Sequence, residues 1–148
     1  MVAVSYGPAP NGLPDEEAFE NWVAAAAKGR RKTVEVSIRV VDGVEGQALN
    51  LKYRHKDYPT NVLSFPAEMI PGLSLPLIGD VVLCAPVVAK EAHDQGKSLD
   101  EHYAHLTVHG VLHLLGFHHE TVAEARAMEA MEIQVLESLG IPDPYGAR

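Results

Sequence analysis

Between residues 109 and 119 the chain reads His-Gly-Val-Leu-His-Leu-Leu-Gly-Phe-His-His. Residues four apart on a helix share one face, one turn apart. His109 and His113 can therefore point at a single spot. Gly116 is the residue type that stops a helix in a left-handed turn, so the chain can fold back there and bring His118 or His119 to the same spot. Three imidazoles converging with one position open form the layout of a catalytic zinc site, whereas a structural site is closed by four protein ligands. Val111, Leu112, Leu114 and Leu115 make the helix a buried one, where an unpartnered histidine would be costly.

His102, His105, His109 and His113 lie in one stripe at ~100° per residue. His105 and His113 are separated by about 12 Å at ~1.5 Å per residue, too far to share an ion at ~2.0–2.1 Å from each nitrogen. Of the two adjacent pairs, only His109 and His113 sit near the turn that carries His119. The expected metal ligands are therefore His109, His113 and His119. His105 is expected to support a neighbour from behind by fixing its tautomer, His102 to face solvent, and His118 to line the site. Gly110 is informative by contrast. In H-E-x-x-H metallopeptidases a glutamate follows the first histidine and serves as general base. A glycine there permits close packing and supplies no base, which disfavours peptide hydrolysis.

The elements that must position these groups can be read from periodicity and breakers. Strands are expected over about 2–6, 33–41, 61–65 and 78–84, the second from its period-two alternation. Gly79 within the last strand suggests a close approach or a bulge. A helix from Pro14 to about Lys28 carries Phe19, Trp22, Val23 and Ala26 on its core face. A second runs from Glu45 to Arg54, with Ala48, Leu49 and Leu51 or Tyr53 inward. Pro86 opens a third, over 87–95, and Gly96 ends it. Ser98-Leu99-Asp100-Glu101 is a capping box that starts the histidine helix. The last helix spans 121–139, with Val122, Ala125, Met128, Met131, Val135 and Leu139 inward and Glu124, Glu129, Glu132 and Glu137 outward. Residues 67–76 read as a surface loop. The result is one α/β (α+β) domain over 1–148, with a small, mostly four-stranded sheet, about five helices and a three-histidine metal site at the end of a core helix.

With 47% hydrophobic residues the chain can bury a core. No apolar run approaches the ~20 residues of a membrane span. No basic-then-apolar leader opens the chain, and the single cysteine, Cys84, removes any dependence on disulfides. A cytoplasmic protein is the expectation. The formal charge of −8 argues against indiscriminate nucleic-acid binding. The charge is uneven, however. Lys28, Arg30, Arg31 and Lys32, with Lys52, Arg54 and Lys56, are four plus three of the twelve basic residues, so a local basic groove for an anionic substrate survives.

Taken together, H-G-x-L-H-L-x-G-x-x-H preceded by Ala104-His105-Leu106-Thr107-Val108, the stretch Leu49-Asn50 to Tyr53-Arg54, Lys56-Asp57, Pro59-Thr60-Asn61-Val62-Leu63-Ser64-Phe65-Pro66, and Gly79-Asp80 resemble the YbeY family of bacterial metal-dependent endoribonucleases. The resemblance implies one zinc ion on His109, His113 and His119. It also implies cleavage of single-stranded RNA in 16S rRNA 3′-end maturation and ribosome quality control, with the small ribosomal subunit and its assembly factors as partners. The family's important arginine falls on Arg54, whose guanidinium can grip a phosphate through two hydrogen bonds. The family usually carries Asp before the third histidine; here His118 stands there, and a histidine brings a different pH dependence. The nucleophile is either a water or the RNA 2′-hydroxyl. Two other readings fit the residues: a metal-dependent hydrolase of another class, such as a peptidase, and a non-enzymatic ribosome-assembly factor with structural zinc.

Overall fold

The computed structural model describes residues 2–7, 12–67 and 77–146. The loop expected over 67–76 therefore lies, apart from Ala67, outside the described residues. Nine elements follow one another: β1 (Val2–Tyr6), α1 (Glu16–Ala27), β2 (Glu35–Val41), α2 (Gly43–Arg54), β3 (Val62–Pro66), β4 (Leu77–Cys84), α3 (Ala85–Gln95), α4 (Leu99–Leu114) and α5 (Val122–Ser138). The strands form one mixed sheet in the order β1-β2-β4-β3. β1, β2 and β4 run parallel, and β3 pairs with β4 antiparallel at one edge. The α/β class, four strands and five helices match the expectation.

Strand alternation sorts side chains onto two faces. Val36, Ile38 and Val40 of β2, with Val81 and Leu83 of β4, enter the main core under α1 and α4. Val41, Leu63, Val82 and Cys84 form a smaller cluster on the other face, closed by Leu49 of α2. Trp22 packs edge-on against Phe19, and Phe19 against Tyr103 of α4, at ring separations of 5.2 and 6.2 Å; Trp22 is core, as its spacing predicts.

α4 is the central element. It touches α1, α3, α5, β3 and β4. Ser98 and Glu101 start it with the expected reciprocal pair of 3.1 Å hydrogen bonds, a cap worth about 1 kcal/mol. Beyond its first turn, every residue from His102 to Val108 is buried, so no stripe on that stretch faces water. This overturns the solvent-facing reading of His102, which is 2% exposed; its Nε2 meets Glu91 Oε1 at 2.9 Å.

Three other expected faces are corrected. In α2, Ala48 is exposed, and so are Leu51 and Tyr53. The buried positions are Gly46 and Asn50. The helix lies so close that a Cβ on Gly46 would come within 2.8 Å of Cys84 Sγ. In α5, Val122 is exposed because the first turn extends past the core. Glu132, expected outward, is buried at 1% exposure, because three polar partners surround its carboxylate.

Candidate functional site

The last turns of α4, the chain after it, the end of α2, the loop before β3 and β3 itself enclose a cleft of about 560 Å³. Its lining includes His109, His113, His119, Arg54, Asn61 and Ser64. Two glycines let α4 reach the sheet this closely. A Cβ on Gly110 would stand 3.0 Å from Val81 Cγ1 and 3.1 Å from Ser64 Oγ; instead, Ser64 Oγ donates to the Gly110 carbonyl at 3.4 Å. Gly79 has φ +149°, and a Cβ there would overlap the Phe65 carbonyl and meet Leu114. The ladder shifts register beside it, where Glu35 pairs with Leu77 but Val36 with Gly79. Close approach and irregular register coincide at this glycine.

Gly116 ends the helical run at φ +105°. Phe117 N–H donates back to the Leu112 carbonyl at 3.2 Å, and Phe117 packs on the main core, as a glycine-terminated helix favours. The chain then returns. The His109 and His119 ring centres are 5.3 Å apart, and those of His113 and His119 are 5.9 Å apart. Imidazoles sharing a tetrahedral ion at ~2.0–2.1 Å have ring centres roughly 5 Å apart. The three rings thus meet at one place without being drawn in, and no group of three or more His, Cys, Asp or Glu among the described residues is set to hold a metal as it stands. The expected metal centre is present only as a convergence of rings. His118 lies against His113, ring planes at 86° and centres 5.6 Å apart.

The donor set fits a metal such as zinc chemically. His113 has its pKa lowered, first by burial and then by His109, His118 and His119, which favours the neutral ring that metals bind. Its Nδ1 is buried without a hydrogen-bond partner. His109 Nδ1 is occupied 2.8 Å from Glu132 Oε2, so its Nε2 is the nitrogen left for the cleft.

Glu132 is the residue that sequence reasoning missed. Its Oε1 meets His105 Nε2 at 2.7 Å and accepts from Tyr145 Oη at 2.5 Å. Among the described residues, His105 is linked to His109 through Glu132. Burial raises the Glu132 pKa, but the hydrogen bonds from His105, His109 and Tyr145 outweigh it and hold the carboxyl down at about 2. Burial, and then the Glu132 carboxylate, push the Tyr145 phenol up. One signal was available. Met128, Glu132 and Val135 are spaced i, i+4 and i+7, which places Glu132 on the inner stripe.

Arg54 is the last residue of α2. The helix stops because His55 adopts a left-handed conformation, φ 59°, and donates its N–H to the Leu51 carbonyl at 3.1 Å. The following loop is tied back to α2: Asn50 Nδ2 donates to the Tyr58 carbonyl at 2.7 Å, and Gln47 Nε2 to Asp57 Oδ1 at 2.9 Å. Lys52, Arg54 and Lys56 are all exposed at this end, so the predicted basic cluster flanks the cleft. Lys28, Arg31 and Lys32 line a separate groove beside Val2 and Val34. Asp80 lines a third, with Arg39 and Phe65.

Residues 13–140 match the family model described as Endoribonuclease YbeY. Relatives named Endoribonuclease YbeY include one from Stenotrophomonas maltophilia (strain K279a), 60% identical, with 97% of this chain and 92% of the relative covered. Another, from Xylella fastidiosa (strain 9a5c), is 56% identical at the same coverage. The solution structure of TM1509 from Thermotoga maritima is similar in fold, with a TM-score of 0.60 and 20% identity over 99% of this chain and 97% of that one. The chain belongs to the YbeY family of endoribonucleases, hydrolases of phosphodiester bonds.

Proposed function

We propose that the protein is a zinc-dependent, single-strand-selective endoribonuclease that acts in 16S rRNA 3′-end maturation and ribosome quality control in the cytoplasm. In this reading it meets its RNA on the small ribosomal subunit, among assembly factors. The observation that carries the reading is the convergence of His109, His113, His119 and Arg54 on one cleft in a chain of this family.

His109, His113 and His119 would hold the ion. When bound, zinc supplies a Lewis acid that polarises a phosphoryl oxygen and lowers the pKa of water. The chain's own residues do the rest. Arg54 makes no hydrogen bond or ion pair with another side chain among the described residues, so its fork is free to clamp the scissile phosphate and to neutralise the charge that grows on it. Lys52 and Lys56 beside it draw the RNA backbone toward the cleft. Asn61 and Ser64 shape the wall, each already committed to a protein partner.

Native mass spectrometry and a single-stranded RNA cleavage assay test this together. His113→Ala is expected to lose zinc and activity at once. Arg54→Ala is expected to keep its zinc and lose about 100-fold or more in cleavage rate, the scale of removing one charge-stabilising donor. Equal zinc in wild type and His113→Ala refutes the ligand assignment. Unchanged cleavage by Arg54→Ala removes that residue from the reaction.

A further inference from the structure

We propose that Glu132 is a positioning residue that sets the ring orientation and tautomer of His109, and that Tyr145 from the C-terminal tail completes its hold. The idea rests on the zinc reading above for its consequence, but its geometry stands apart from it.

The Glu132 side chain is 1% exposed. Among the described residues no lysine or arginine answers it; its partners are two histidines and a tyrosine. An ionised carboxylate offers only lone pairs. Each partner must therefore present a hydrogen: Tyr145 its hydroxyl, His105 its Nε2–H and His109 its Nδ1–H. In a neutral ring, a proton on Nδ1 leaves the lone pair on Nε2. Glu132 thus fixes which His109 nitrogen is free and turns it toward the cleft. Without that acceptor an imidazole exchanges between two tautomers, and only one of them can bind an ion there.

Tyr145 closes the arrangement. Its backbone N–H donates to Asp143 Oδ1 at 2.8 Å, which turns the tail back. Its ring packs edge-on to His105 with centres 5.2 Å apart, and its hydroxyl shares Oε1 of Glu132 with His105. A residue near the end of the chain is in this way two hydrogen bonds from a candidate metal ligand.

The test uses the full-length protein, Glu132→Gln and Tyr145→Phe. Nitrogen-15 spectra of the metal-free proteins report the His109 tautomer, and chelator competition reports zinc affinity. In the wild type, His109 is expected as the Nδ1–H tautomer. Glu132→Gln is expected to mix the tautomers and to weaken zinc binding about ten- to a hundred-fold, as loss of a carboxylate behind a ligand histidine does. Tyr145→Phe, which keeps the carboxylate and serves if Glu132→Gln does not fold, is expected to move both readouts less in the same direction. A folded Glu132→Gln protein with a lowered melting temperature but wild-type tautomer and zinc affinity overturns the proposal, because that is a structural role alone. A wild-type protein that takes up no zinc refutes the metal reading instead. The tautomer spectra, recorded without metal, then decide on Glu132 by themselves.

Discussion

Two carboxylates reach histidines of α4 from neighbouring helices, and they are built differently. Glu132 of α5 holds His105 and His109. Glu91 of α3 holds His102, one turn earlier, and Asn61 in the cleft wall. Glu132 is sealed, at 1% side-chain exposure; Glu91 is 32% exposed. A sealed carboxylate has no water to replace a lost partner, so every donor around it is obligatory. A partly wet one can exchange a protein partner for solvent. The first therefore sets a candidate metal ligand rigidly. The second braces the loop that carries the opposite wall of the cleft.

The largest difference should appear in stability. Glu132→Ala removes the acceptor of His109 Nδ1 and of the Tyr145 hydroxyl, and leaves His105 Nε2 with Tyr145 Oη alone at 3.0 Å. Buried donors that lose their acceptor cost about 1–3 kcal/mol each, and Glu132 answers three of them. Glu91→Ala leaves groups that water can reach in part, and the cost is about 1 kcal/mol. Urea unfolding of the two variants measures both. Equal losses would mean that enclosure is not what separates the two carboxylates.

The same contrast explains what could be read in the sequence. The strands, the capping box at Ser98, the glycine stop at Gly116 and the histidine spacing all lie in local pattern, and local pattern survives folding. Gly110 and Gly79 were legible as places of close approach because glycine has few other reasons to interrupt an apolar run. The errors came from charge. His102 and Glu132 are polar, so local reading put them on the surface, and only their partners from other parts of the chain make burial tolerable. Those partners, Glu91 and Tyr145, lie 11 and 13 residues away, and no helical or strand period links them. Leu51 and Tyr53 failed the opposite way: α2 meets the sheet through a narrow stripe centred on Gly46 and Asn50, so apolar residues off that stripe stay exposed.

A smaller effect separates the two in function. Asn61→Ala cuts the brace from Glu91 and frees the Val62 N–H that Asn61 Oδ1 now accepts at 2.7 Å. The wall loosens while the histidines keep their positions. RNA binding is expected to weaken, with KM rising about tenfold and zinc content unchanged, the pattern of lost uniform binding. Steady-state cleavage with parallel metal analysis checks it. Loss of zinc in Asn61→Ala would show that the wall and the histidine cluster are one unit.

The smallest effect concerns pH. Burial lowers the His102 pKa; Glu91 pulls it up but does not overcome burial, and Lys97 and His105 add to the lowering. His102 is therefore neutral in the fold at neutral pH and donates Nε2–H to Glu91. In the unfolded chain it takes a proton near its ordinary pKa of about 6.5. The unfolded state then binds more protons, so stability is complete above that value and falls as pH drops below it. His113, lowered first by burial, pushes the same way, so the decisive quantity is a difference. Urea midpoints of wild type and His102→Gln, taken at pH values on either side of that point, should show a shallower acid loss in the variant. An identical loss would mean that His102 charges within the fold and pairs with Glu91 as an ion pair. Partial exposure of the carboxylate would then be enough to carry a buried imidazolium, and the distinction between the sealed and the wet carboxylate would rest on stability alone.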